Sequence, residues 1–144
     1  MKTMEMSVVI AKPIEVVFEP ISDARGQPRW DPGLLEGRHE PDGPIRVGTR
    51  VFERRRMFGM VSENSGEIIA LDAPRSYTRR GSGGPMTLTG TITCTDVPEG
   101  THVSWQWVLD VKGPLKLAEG WIAGMLRRSA EPTLHHLKHL LEAS

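Results

Sequence analysis

LKLAEGWIAGMLRRSAEPTLHHLKHLLEA, residues 115–143, sets Ala118, Ile122, Leu126, Ala130, Leu134, Leu137 and Leu141 at three- and four-residue steps. That is the period of an α-helix, and a helix of this length spans roughly 40 Å. Nearly everything between it and the first short helix reads as strand. Short strands laid flat could not cover such a helix, whereas a sheet curled around it could. The space between sheet and helix is then where the protein works. Gly120, Gly124 and Pro132 lie within the run, and Pro132 predicts a kink in mid-span.

Outward from that helix, the strands declare themselves by alternation. Met86, Leu88, Gly90, Ile92 and Cys94 alternate with Thr87, Thr89, Thr91, Thr93 and Thr95. After a turn at Asp96 to Gly100, Val103, Trp105, Trp107, Leu109 and Val111 alternate with His102, Ser104, Gln106, Val108 and Asp110. One dry and one wet face per strand predicts an antiparallel sheet. Met4, Met6, Val8 and Ile10 begin the chain in the same way. Pro13 then suits the first turn of a helix whose apolar face is Ile14, Val17, Phe18 and Ile21, with Pro20 kinking it or ending it early. Asp23 to Trp30 reads as a loop or second short helix. Further strands are expected at Leu34 to Glu40, Gly48 to Phe58, Met60 to Leu71 and Arg75 to Arg80, with turns at Pro41-Asp42-Gly43-Pro44 and Gly81 to Pro85.

The chain's 144 residues allow one domain, residues 1–144, with one sizeable core. Its 18 basic and 18 acidic side chains cancel, so no overall field favours nucleic acid or an anionic membrane. No apolar run reaches the ~20 residues of a membrane span, which argues against membrane insertion. The first residues lack the apolar stretch of a signal peptide, and Cys94 is alone, as suits a reducing compartment. A cytoplasmic protein is the expectation, with a homodimer left open.

Several short runs carry a family resemblance. Ala11-Lys12-Pro13-Ile14-Glu15-Val16-Val17-Phe18 with Pro28-Arg29-Trp30 resembles the amino-terminal signature of the START-like (SRPBCC, helix-grip) superfamily, and its polyketide cyclase/dehydrase-like branch in particular. Gly48-Thr49-Arg50-Val51, Ala73-Pro74-Arg75, Gly100-Thr101-His102-Val103-Ser104-Trp105 and Leu137-Lys138-His139-Leu140-Leu141-Glu142 fall where that branch has similar words. The resemblance implies an α+β helix-grip fold. Its seven-stranded curved antiparallel sheet would wrap the long carboxy-terminal helix, with two short helices after the first strand and an apolar cavity inside. The superfamily includes lipid carriers, hormone receptors, aromatic polyketide cyclases, ubiquinone-binding proteins and chaperone-ATPase activators, so it implies a pocket more firmly than a chemistry.

The candidate pocket wall is Trp30, Met86, Leu88, Ile92, Trp105 and Trp107. Trp121, Ile122, Met125, Leu126 and Ser129 form the facing stripe of the helix, and Gly90 and Gly124 leave space. Polar candidates are Tyr77 and the run Arg54-Arg55-Arg56. Arg54 and Arg56 share a face with Phe52 and Phe58, and Arg55 shares the other with Val51, Glu53 and Met57. The sequence leaves the inward set open; Phe52, Arg54 and Arg56 are taken as the candidates. An inward arginine could hold a carboxylate or an enolate oxygen. In the aromatic cyclases of this family a pocket arginine and tyrosine are implied for enolate stabilisation. The fourth strand here offers no basic residue, so no catalytic residue is carried over.

His135, His136 and His139 lack the glutamate of a metalloprotease helix and the cysteines of structural zinc, so no metal and no cofactor is expected. The expected partner is a small, largely apolar ligand of lipid, polyketide or isoprenoid type. The alternatives are a cyclase/dehydratase-type enzyme and, behind it, a protein-interaction or chaperone co-regulator module.

Overall fold

A computed structural model of the chain describes residues 1–57, 59–83 and 85–143. Phe58 and Gly84, expected in a strand and a turn, lie outside the described residues. Strand β1 (Lys2–Ile10) leads into helix α1 (Ile14–Ser22) and a 3-10 turn at Gln27–Arg29. Then come β2 (Leu34–Glu40), β3 (Arg50–Met57), β4 (Met60–Asp72), β5 (Ser76–Gly83), β6 (Met86–Val97) and β7 (Gly100–Val111). A second 3-10 segment, Gly113–Ala118, precedes the long helix α2 (Glu119–Glu142). The strands form one antiparallel sheet in the order β1-β7-β6-β5-β4-β3-β2.

The long helix therefore starts at Glu119 rather than Leu115, because Gly113 at φ +75° and Pro114 begin a 3-10 segment first. It continues through Pro132. Gly81 and Gly83, expected in a turn, belong to β5.

α2 runs alongside β1 in the same direction and is fastened at both ends. At its start Glu119 accepts from the Met1 ammonium at 2.6 Å and from the Val111 amide at 2.9 Å. The ammonium hydrogen bond is the main reason that the Glu119 carboxyl is held down at about 2. At its end Glu142 accepts from the Ala11 amide at 2.9 Å, and Lys138 donates to the Val9 carbonyl at 2.6 Å. The Lys138 contact also occupies the Val9 carbonyl of β1, an edge strand.

Two apolar clusters follow from that placement. The carboxy-terminal half of α2 lays Ala130, Leu134 and Leu137 on Met6, Val8 and Ile10 of β1, with Val17, Phe18 and Ile21 of α1 closing the far side. Leu134 and Leu137 are fully buried, and each such side chain contributes about 1.5–3 kcal/mol. The amino-terminal half packs Ala123 against Met4, Leu109 and Val111, with Ile122 and Leu126 against Leu88 and Trp107. α2 thus covers mainly β1 and β7, and the opposite half of the sheet faces α1 and the Asp23–Trp30 segment.

Candidate functional site

Residues paired across an antiparallel ladder share a face, so the inner face can be read from one register row to the next. Met4 pairs with Trp107, Trp107 with Gly90, Gly90 with Arg79 and Arg79 with Ile68. The neighbouring row joins Met6, Trp105, Ile92, Tyr77 and Leu71. Met4 and Met6 touch α2, so Trp105, Trp107, Tyr77 and Arg79 all lie on its side of the sheet. In β3 the same reasoning runs from Gly81 through Gly66 to Val51, which places Val51, Glu53 and Arg55 on the inner face.

This settles the arginine run against the choice made from sequence. Arg54 and Arg56 are exposed on the convex face, where Arg54 makes a surface contact with Glu36 at 3.4 Å. Phe52 is there too, with the Arg38 guanidinium stacked 4.5 Å from its ring centroid. The physical reason is register: Val51 is needed in the small cluster with Ala24 and Ile68, and period two carries Arg55 inward with it.

The inner polar group is a chain of four charges. Arg79 donates from Nη1 to Glu53 Oε1 at 2.9 Å, and Glu53 Oε2 lies 3.7 Å from Arg55 Nη2. Arg55 makes a two-armed contact with Asp31, 3.1 Å from Nη1 and 2.8 Å from Nη2, and Gln27 Nε2 donates to the same carboxylate at 2.9 Å. Burial opposes the Glu53 charge, but the Arg79 and Arg55 guanidiniums outweigh it and keep its pKa below the usual range. Beside Arg79, the Tyr77 hydroxyl donates to the Ile21 carbonyl at 3.1 Å, and burial pushes its pKa up to about 12. A Cβ at Gly66 would stand 3.0 Å from Arg79 Cγ, so the glycine makes room for the arginine stem.

The apolar part of the face is less hollow than expected. A Cβ on Gly90 would lie 2.9 Å from Trp107 Cδ1, so the indole fills the space that this glycine was expected to leave. Trp105 meets Trp107 edge to face, centroids 4.8 Å apart. The recess bounded by Ile21, Ala24, Val51, Ile68, Tyr77 and Arg79 holds only about 10 Å³. Yet Leu88, Trp105, Trp107, Ile122 and Leu126 remain only partly buried although they lie between sheet and helix; Met125, one turn from Ile122, is half-buried and outside these clusters. Solvent reaches this face.

Other sequence candidates fall elsewhere. Ile92 and Trp30 are buried in the main core, and the Trp30 indole Nε1–H is a buried donor with no acceptor among the described residues. Met86 sits at the rim, 37% exposed. Trp121 is 65% exposed and points away from the sheet; the small residues Ala123 and Ala130 take the inward positions and let α2 approach β1 closely. Ser129 is exposed as well. His135, His136 and His139 are exposed, and among the described residues no three His, Cys, Asp or Glu side chains are grouped to hold a metal. A separate groove of about 360 Å³ runs between β1 and the outer flank of α2, with Glu5, Arg127, Glu131 and His135 in its lining. Met6, Ser7 and Leu134 complete its lining.

Asp31, Glu53 and Arg79 were not singled out from sequence, and Arg55 was named only as part of the arginine run. A signal for Arg79 existed: it stands two residues from Tyr77, so a strand that turns Tyr77 inward turns Arg79 inward too.

Solved structures share this architecture. The chain superposes on TTHA0849 from Thermus thermophilus with a TM-score of 0.80 at 16% identity, covering 99% of this chain and 98% of that one. It is similar to Ara h 8.0201 at a TM-score of 0.76, 15% identity and 99% of both chains. The di-domain ARO/CYC BexL of the BE-7585A biosynthetic pathway gives 0.83 at 16% identity, covering 99% of this chain and 50% of that protein. At such identities the likeness establishes the fold alone. No curated protein matches the chain in sequence. The family profile described as "Polyketide cyclase / dehydrase and lipid transport" matches residues 1–142. With the grip of sheet on helix seen above, that match over nearly the whole length decides the matter: the chain belongs to the polyketide cyclase / dehydrase and lipid transport family.

Proposed function

We propose that the protein binds a small, largely apolar molecule on the inner face of the sheet, between β5–β7 and the amino-terminal half of α2. The observation that carries this is the partial exposure of Leu88, Trp105, Trp107 and Leu126 on a face turned toward the helix. A packed interior would have buried them; apolar surface left accessible inside a fold is surface for a guest. The ligand has an apolar body and one polar end. The body lies on the two indoles, and the end turns to Arg79, whose Nη1 arm goes to Glu53 while 31% of the side chain stays exposed. A carbonyl or carboxylate oxygen suits the remaining donors of the guanidinium fork.

An enzymatic reading of the cyclase type draws on the same Arg79 as an enolate-stabilising cation. Proton transfer is what this face supplies poorly. The Tyr77 hydroxyl is committed to Ile21 and holds its proton to about pH 12, and Glu53 is an ion-paired carboxylate with a lowered pKa, a weak base. Binding without turnover fits these groups better. Native mass spectrometry of purified protein, wild type and Trp107→Ala, tests the reading. It predicts a bound or bindable apolar molecule on the wild type, lost or weakened in the variant. A wild-type protein that takes up no apolar probe contradicts it.

A further inference from the structure

The segment joining β7 to α2 and the first turn of α2 expose three large apolar side chains: Leu115 at 48%, Leu117 at 98% and Trp121 at 65%. Lys112 and Lys116 are exposed between and beside them, and Lys2 lies against Gly120, its Cε 3.5 Å from where a Cβ would stand. Lys116 stands 3.4 Å from Glu119, while Lys2 and Lys112 have no acidic partner among the described residues. Glu119 is buried on the Met1 ammonium and the Val111 amide, and Asp110 is half-buried on the opposite face of β7 from Leu109. A chain with no net charge therefore carries a locally basic tip crowned by two leucines and a tryptophan.

From this we infer that the 3-10 segment Gly113–Ala118 and the first turn of α2 form a docking surface for an anionic lipid bilayer. Leu115, Leu117 and Trp121 enter the boundary between headgroups and acyl chains, the depth that tryptophan favours. Lys2, Lys112 and Lys116 meet the lipid phosphates, each contributing about 1 kcal/mol near such a surface. Shape and charge choose this occupant over others. A side chain 98% exposed stands clear of any wall, whereas a docked peptide helix needs a groove. A two-fold contact with a second copy would set the lysines of both copies against each other. Attachment of this kind is peripheral, and no helix among the described residues is long and apolar enough to cross a membrane. The inference stands independently of the inner-face ligand.

Vesicle flotation of the full chain tests it, using phosphatidylcholine vesicles with and without phosphatidylglycerol. The wild type is expected to float with the anionic vesicles, far less with the neutral ones, and less at high salt. Leu117→Asp loses flotation, and Lys112→Gln weakens partitioning about fivefold. The control Leu35→Asp, at an exposed leucine of β2, and Trp107→Ala, on the inner face, both still float. Emission that shifts to the blue with vesicles in the wild type, and not in Trp121→Phe, places the indole in the interface. A wild type that stays unbound, or a Leu117→Asp protein that floats as well, overturns the inference. A wild-type dimer that Leu117→Asp dissolves, with no vesicle binding, overturns it in favour of self-association.

Discussion

Replacing Glu53 by glutamine tests the charge chain on the inner face more sharply than any change in the apolar core. Glu53 is 9% exposed and stands between two guanidiniums, Arg79 at 2.9 Å and Arg55 at 3.7 Å. Its loss leaves Arg79 without its carboxylate, while Arg55 keeps both arms on Asp31. Breaking a fully buried pair by removing one partner costs about 3–5 kcal/mol. Arg79 is 31% exposed and can recover some hydration, so the expected cost is lower, about 2–3 kcal/mol, the upper part of the range for one charged hydrogen bond. For a chain of this length that lowers the melting temperature by about 6–12 °C. Circular dichroism melting and urea titration read it directly. The double variant Glu53→Gln/Arg79→Met should be less destabilised than the sum of its singles, because no cation is stranded. Arg54→Ala, on the convex face, should stay within about 0.5 kcal/mol of wild type. A Glu53→Gln protein as stable as wild type, or an Arg54→Ala protein as damaged as Glu53→Gln, would refute the face assignment.

Other consequences are more local. Gly90→Val should push away the Trp107 indole, whose Cδ1 would stand 2.9 Å from the added Cβ, changing the near-ultraviolet dichroism and abolishing uptake of an apolar ligand. Leu137→Ala empties a fully buried position where α2 meets β1 and should cost about 2–5 kcal/mol by urea unfolding. Burial raises Cys94 from 9.0 to about 11 and Tyr77 from 10.0 to about 12. Raised acids of this kind favour the fold while protonated. Their contribution is therefore full below pH 9 and drains away as pH climbs through 11 for the thiol and 12 for the phenol. Melting temperatures measured against pH should fall from about pH 9 upward, and Cys94→Ala should move the onset toward about pH 10. An onset unmoved by that substitution would contradict burial as the cause.

The sheet was legible in the sequence wherever one face was dry. β6 and β7 alternate cleanly between Thr or polar residues and apolar ones, so their inner sets were read correctly, Trp105 and Trp107 included. β3 offered no such contrast: Val51, Glu53 and Arg55 are one apolar and two charged residues, and so are Phe52, Arg54 and Arg56. Only pairing with β4, Val51 opposite Gly66, decides between them. Arg79 went unseen because the cation candidates lay on the third and fourth strands, although Tyr77 two residues away shares its face. Trp121 was misplaced for a different reason. The phase of a helix face depends on close approaches that periodicity does not register, and Ala123 and Ala130, unremarkable in sequence, are what bring α2 onto β1. The exposed tip was hidden by arithmetic, since charges that cancel over 144 residues do not cancel over a single short segment.

The most direct test of the ligand reading uses protein labelled with 5-fluorotryptophan, which gives one fluorine resonance for each of Trp30, Trp105, Trp107 and Trp121 once single Trp→Phe variants assign them. Titration with a soluble apolar compound bearing a carboxylate should move the Trp105 and Trp107 signals together and leave Trp121 in place, with the response weakened in Arg79→Met. Signals from Trp105 and Trp107 that stay fixed while Trp121 alone responds would mean that the inner face receives no guest.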